Sequence, residues 1–505
     1  MLAAALAGAA LVACAPRATN APGTSPASPA SLAAPARPSA MPLRSPSPAP
    51  PWSAADRAEL RRRLDAVFAG AVFARGGAAA IVDADGSPLY DLHGTRAMTP
   101  ASTLKLLVAA TALDALGPQH RFATSFVARE TPDAEGIVHG PLWFVGGGDP
   151  LFTSQDLRAG IGALHRLGLR RVDGPLLIDD GAFQGLERNP RWDPDDLDQG
   201  YAAATSAVSL DEDTVEFDVD PSSPGAPARV KIEPPNENVE VRGSILTGYS
   251  TDPRIDRVDQ PQAKGKPYRN VFDLSGTIAA GDGQKYWKPV LGMPAYVAGA
   301  ILALAGERAI AFAADSGVGP APVAAQALWL HRSLPLSAIV TDMLVHSNNH
   351  TAEQLLRSVG EQRSNVGTDT TGVAAERREL ARLGVRLDQV RAYDGSGLAP
   401  ADKIAPLALV TLIAAELRGP NASVFVRALP RVGQEGTVIY HELNDARGRV
   451  RAKSGHLSEV NALAGVVATR HHGRIAFAFI VNDPAAQAAE VSVAQDSALD
   501  ALADF

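Results

Sequence analysis

Three short stretches of this 505-residue chain carry side chains that could do covalent chemistry together. The first is Ser102-Thr103-Leu104-Lys105, a hydroxyl and an amine three residues apart. In a predicted helix over Pro100 to Leu116 that spacing puts both groups on one face, about one turn apart and close enough to touch. An unassisted serine is a poor nucleophile. A neutral lysine within hydrogen-bond reach can take its proton, and burial beside another cation makes a lysine neutral. Taken alone, the pair also fits a helix-capping serine and a lysine whose stem lies along apolar surface. The second stretch, Ser347-Asn348-Asn349, sets a hydroxyl and a carboxamide two apart between helical segments; the third, Lys453-Ser454-Gly455, leads into two terminal apolar strands. Lysine is scarce, 8 of 47 basic residues, yet two of the eight fall in these stretches, which argues against accident.

The order Ser-x-x-Lys, Ser-x-Asn, Lys-[Ser/Thr]-Gly is the motif set of penicillin-binding proteins and serine β-lactamases. The first two motifs are 347 − 102 = 245 positions apart and the last two 453 − 347 = 106. A bare β-lactamase has no room for the first interval. An insertion of this size resembles the class C low-molecular-mass penicillin-binding proteins, the D-alanyl-D-alanine carboxypeptidase/endopeptidase family. Similar local text includes Pro100-Ala101-Ser102, Gly146 to Pro150, Ser275 to Ile278, Ala352 to Leu356, Asp394 to Leu398, Gly436-Thr437 and Ala452 to Gly455. The likeness runs from about Ser53 to Val481. Two positions depart from the family pattern, Asn348 for the usual Asp and Ser454 for the usual Thr, and both keep the groups the chemistry needs.

The resemblance implies an α/β (α+β) penicillin-binding-protein/serine β-lactamase-like transpeptidase core, an antiparallel sheet with helices on both faces, with a large inserted region of one or two mostly β subdomains. It also implies roles. Ser102 would attack the terminal D-Ala-D-Ala amide, with Lys105 as general base and Lys453 lowering the Lys105 pKa. Ser347 would relay a proton to the departing amine, and Asn349 would hold the peptide. The N–H groups of Ser102 and His456 would form the oxyanion hole, and Ser454 with Lys453, beside Gly455, would take the substrate carboxylate. Peptidoglycan peptides would be the substrates and β-lactam antibiotics covalent inhibitors, with no cofactor and no metal. Two other readings stay open: a serine β-lactamase, disfavoured by the insert and by the lack of a clear deacylating glutamate, and a non-catalytic peptidoglycan-binding lipoprotein, disfavoured by the intact nucleophile and base.

The elements that must position these groups are partly visible. Leu60, Leu64, Val67 and Phe68 give Ser53 to Gly70 a helical face. Ala78–Val82 and Pro88–Leu92 read as a hairpin, and Asn461–Thr469 and Arg474–Val481 as strands turned by His471-His472-Gly473. Helices are expected at Pro322–Leu330, Leu336–Leu344, Ala352–Val359 and Gly372–Leu383. The expected division is a catalytic part at 53–118 and 320–505, interrupted by 119–319. His346 and His350 lack the glutamate of a zinc motif. The Gly146 to Gly148 run reads as a tight turn, and Asp211-Glu212-Asp213 as a solvated acidic loop.

Residues 1–14 form an apolar leader too short to span a bilayer, ending Leu11-Val12-Ala13-Cys14. This reads as an export signal with a lipobox, making Cys14 a lipid-anchored first residue in the periplasm, at the outer membrane rather than the inner. Residues 15–52, rich in Ala, Pro and Ser, read as a tether. The single cysteine excludes intrachain disulfides, and the formal charge of −8 argues against nucleic acid as a partner.

Overall fold

The computed structural model describes residues 50–258 and 268–505; Cys14, the leader and the tether up to residue 49 lie outside the described residues. Both ends of the described chain build one five-stranded antiparallel sheet. Its strands are β1 (Gly77–Asp83), β2 (Pro88–Leu92), β3 (Val450–Leu457), β4 (Val460–Ala468) and β5 (Arg474–Asn482), in the spatial order β2-β1-β5-β4-β3. The register from Gly77↔Val481 to Asp83↔Ile475 joins the two ends.

Side-chain size sorts the two faces. Ala78, Ala80, Ala464, Ala476 and Ala478 point one way, and Ile81, Leu463, Phe477 and Phe479 the other. This is the period-2 alternation of strands covered on both sides. The alanine face lets helices lie close and carries Pro406–Arg418, with the largely apolar Lys105–Leu116 packed in the same core. The aromatic face is covered by α1 (Ala54–Phe68) and by a C-terminal helix, Ala488–Ala503. Helix α1 starts where expected because Ser53 and Asp56 form a capping box, with Asp56 N donating to Ser53 Oγ at 3.1 Å.

Numbering onward, α2 is Lys105–Leu116, α3 Leu336–His346, α4 Asn349–Ser364 and α5 Asp369–Arg382. Between α2 and α3 a second hydrophobic core runs from Phe126 to Ile310. It is built on small sheets with two added helices, Ser154–Arg166 and Met293–Gly306. No described helix is long and apolar enough to cross a membrane.

Three expectations need correction. Pro322–Leu330 is not a helix: Gln326–Arg332 is an edge strand antiparallel to Ala123–Ala128, and Trp329 packs on Phe126 with ring centroids 5.9 Å apart. A short apolar run does not distinguish the two periods. Asp211–Asp213 is not a solvated loop. Only Glu212 is exposed, Asp213 is buried and accepts from Leu210 N at 3.0 Å, and burial pushes Asp211 up to about 6. The C-terminal part holds three strands rather than the two expected: Lys453-Ser454-Gly455 leads into β4 and β5 from within a strand of its own, β3.

Candidate active site

The predicted helix from Pro100 begins instead as a 3₁₀ turn, Ala101–Leu104, and becomes α-helical at Lys105. In a 3₁₀ turn residues i and i+3 eclipse, so Ser102 and Lys105 stack directly. Lys105 Nζ lies 2.9 Å from Ser102 Oγ.

Two further acceptors meet the amine: Asn349 Oδ1 at 2.7 Å and the Ser396 carbonyl at 2.8 Å. A neutral amine has two N–H bonds and one lone pair. With both N–H bonds committed to Asn349 and Ser396, the lone pair faces Ser102, the orientation a base needs. Lys105 is fully buried, and burial lowers its pKa to about 7 against the opposing pull of Asp394. The sequence reading gave that lowering to Lys453. In the structure the coupling appears on the other lysine: burial first, and then the charge of Lys105, hold Lys453 well below the ordinary range.

Strand β3 brings the third motif to the same turn. A Cβ at Gly455 would come within 2.5 Å of the Pro100 carbonyl and 3.1 Å of Ser102 N, so only glycine allows this approach. β3 is the sheet edge, and Ala452 N donates off that edge to Pro430 O at 3.1 Å. By alternation the N–H of His456 also points off that edge. The His456 ring is exposed, with Nδ1 3.0 Å from Asn461 Oδ1. Lys453 Nζ donates to the Ser454 carbonyl at 2.7 Å, and Ser454 Oγ lies 2.8 Å from Thr437 Oγ1. Two hydroxyls and an amine thus line this edge, a donor set suited to a carboxylate.

The second motif sits where α3 gives way to α4. Ser347, half-buried, closes α3 in the left-handed conformation with φ 58°. Asn348 caps α4, its Oδ1 accepting from Thr351 N at 2.9 Å, a task aspartate does equally well. Asn349 follows as the first helical residue and also donates from Nδ2 to the Tyr201 carbonyl at 3.0 Å. Its amide thus has a partner at each end, Lys105 Nζ and the Tyr201 carbonyl. His346 is exposed beside Asp342, while His350 is buried against Ser209 Oγ at 3.1 Å.

Several residues were missed as site components. Ser396 and its loop, Asp394–Ala399, are wrapped around two buried carboxyls. Asp394 accepts from Gly397 N at 2.8 Å, Ala399 N at 2.8 Å and Trp192 Nε1 at 2.9 Å; Glu353 accepts from Gly395 N and Ser396 N. Gly397, at φ 80°, presses on the Ala101 carbonyl just before the serine, where a Cβ would collide. Burial, with Asp394 and Asp369 nearby, pushes Glu353 up to about 8, and burial beside Asp394 pushes Asp402 up to about 11. Thr437, Trp192 and Tyr201 complete the surroundings. The stretches holding Glu353, Asp394, Ser396 and Thr437 were visible as text resembling a family, but nothing local revealed that they close on Lys105.

A profile of the D-Ala-D-Ala carboxypeptidase 3 (S13) family matches residues 61–504. A D-alanyl-D-alanine carboxypeptidase of Actinomadura sp. is 30% identical over 471 residues, covering 90% of this chain and 86% of that protein. The D-alanyl-D-alanine carboxypeptidase DacB of Haemophilus influenzae is 24% identical over 411 residues, 78% of this chain and 82% of that one. In fold the chain is similar to the crystal structure of penicillin binding protein 4 from H. influenzae, with TM-score 0.73 and 22% identity over 89% of this chain and 100% of that one. A complex of that protein with a β-lactam aligns at TM-score 0.68 with 21% identity, covering 86% and 98%.

Proposed function

The chain belongs to the D-Ala-D-Ala carboxypeptidase 3 family, and on that premise we propose how its residues divide the work of a serine peptidase that cleaves peptidoglycan peptides through an acyl-enzyme. Ser102 Oγ attacks the carbonyl carbon of the D-Ala-D-Ala amide while its proton passes to Lys105 Nζ. The oxyanion is met by the N–H groups of Ser102 and His456. As the C–N bond breaks, a proton relayed through Ser347 reaches the departing amine, and the terminal D-alanine leaves. Water then hydrolyses the ester, returning the hydroxyl to Ser102. Lys453, Ser454 and Thr437 receive the free carboxylate of the substrate, along the edge where Gly455 admits the strand. The observation that carries this reading is the buried amine 2.9 Å from Ser102 Oγ, with both other acceptors fixed.

β-Lactams present a strained ring amide to the same serine in place of the peptide amide and are covalent inhibitors on this reading. Incubation with a labelled penicillin followed by peptide mapping is expected to find a long-lived adduct on Ser102. Rapid turnover of the drug without accumulation indicates a β-lactamase instead, and no adduct at all removes the enzymatic reading.

For location we propose export to the periplasm with lipid attached at Cys14, sorted to the outer membrane, and residues 15–52 as the tether. The support is the apolar run ending Leu11-Val12-Ala13-Cys14. The full-length protein is then expected in the detergent phase of a cloud-point extraction, and Cys14→Ala in the aqueous phase. Wild-type protein in the aqueous phase overturns the anchor.

A further inference from the structure

Asn349 and Glu353 stand four residues apart on α4, one helical turn, and so share a face. Asn349 meets Lys105 directly. Glu353 does so through one intermediary. Its Oε1 accepts from Ser396 N at 2.8 Å and from Gly395 N at 3.1 Å, and the carbonyl of Ser396 is the second acceptor of Lys105 Nζ. Glu353 is 2% exposed, so water cannot replace these bonds. Two of the four residues from Gly395 to Leu398 are glycines that approach backbone closely, Gly395 at the Ala352 carbonyl and Gly397 at Ala101, and Asp394 holds Gly397 N, which leaves the N–H groups of Gly395 and Ser396 to Glu353.

We propose that Glu353 is a positioning residue for acylation: it fixes the Ser396 carbonyl against Lys105, so that one rigid helix sets both acceptors that aim the amine's lone pair at Ser102. The inference rests on the reading of Lys105 as base. What Glu353 contributes is acceptor geometry rather than charge. Burial and the neighbouring Asp394 and Asp369 disfavour its ionised form, with Asp402 beside Asp394 and Glu376 of α5 adding more carboxyls to the same region. A neutral carboxyl keeps the Oε1 acceptor that both N–H groups use. Glutamine preserves that atom, whereas aspartate preserves the acid but withdraws it by one methylene.

Charge and geometry therefore give opposite orders for two conservative variants. Acylation by labelled penicillin, followed by rapid quench over a range of drug concentrations, separates the acylation rate from the dissociation constant of the non-covalent complex. Glu353→Gln is expected to acylate within about threefold of wild type, and Glu353→Asp at least about tenfold more slowly, with the dissociation constant unchanged, since only the aim of the base is disturbed. Glu353→Met fills the volume without an acceptor and gives the same comparison where the aspartate variant does not fold. Wild-type rates in the aspartate and methionine variants, or a glutamine variant as slow as the aspartate, overturn the proposal. So does a loss that appears in the dissociation constant. A normal Glu353→Asp rate alongside an inactive Lys105→Ala removes this inference alone; a normal Lys105→Ala rate removes the reading beneath it.

Discussion

Ser102→Ala is expected to abolish covalent labelling by penicillin while the protein stays folded. The two outcomes follow from different sides of the same residue. Chemically, Oγ is the atom that becomes the ester oxygen, and without it the proton transfer to Lys105 has no donor. Structurally, the hydroxyl does little. Ser102 is half-buried at the mouth of the site, and Lys105 retains Asn349 Oδ1 at 2.7 Å and the Ser396 carbonyl at 2.8 Å as partners. Losing one hydrogen bond whose surviving partner, the Lys105 amine, keeps both its N–H bonds satisfied costs about 1 kcal/mol. Intact mass spectrometry should show no added drug mass, thermal melting should move only slightly, and non-covalent binding should persist. An adduct of undiminished yield on another residue of the variant would assign the nucleophile elsewhere.

The route from sequence to this site was uneven for identifiable reasons. Spacing within a motif is a local property, so the Ser102–Lys105 contact could be read before any coordinates, and the 3₁₀ start of α2 only tightened it. The runs Ala78–Val82 and Pro88–Leu92 were likewise legible as a hairpin, whereas burial of the first on both faces shows only once the helices pack on it. Long-range closure is a different matter. Glu353, Asp394 and Ser396 are ordinary residues in their own segments and become site components only because α4 and the Asp394–Ala399 loop, which follows α5, meet α2. The C-terminal helix, Ala488–Ala503, escaped notice because its buried face relies on Val491, Ala498, Leu499 and Leu502 among many alanines, a weak apolar stripe. The cluster Asp211–Asp213 misled in the opposite sense: three acids in a row suggest solvent, yet left-handed backbone at each, with φ from 49° to 56°, turns Asp213 inward to cap its own loop. Composition predicts exposure on average, and backbone geometry decides it at a given residue.

Replacing Lys105 tests the base without removing the nucleophile, and here the pH profile carries as much information as the rate. With a pKa of about 7, the amine is mostly neutral above that pH and mostly ammonium below it. An ammonium has no lone pair to accept the serine proton. Wild-type acylation should therefore rise as pH increases through about 7 and level off above it, falling roughly tenfold for each unit well below. Lys105→Ala should acylate about 10³-fold more slowly, the range general bases supply, and should lose that inflection altogether. The substitution also strands two acceptors, Asn349 Oδ1 and the Ser396 carbonyl, and an unpaired buried polar group costs about 1–3 kcal/mol. A lower melting temperature is thus part of the expected result, and the rates are to be compared at a temperature where both proteins are folded. The two effects are separable because lost stability lowers the active fraction equally across the pH range, whereas a lost base changes the shape of the curve. A Lys105→Ala protein that acylates at the wild-type rate, or one that keeps the inflection near 7, would transfer the role of base to another group, with Lys453 the first to examine.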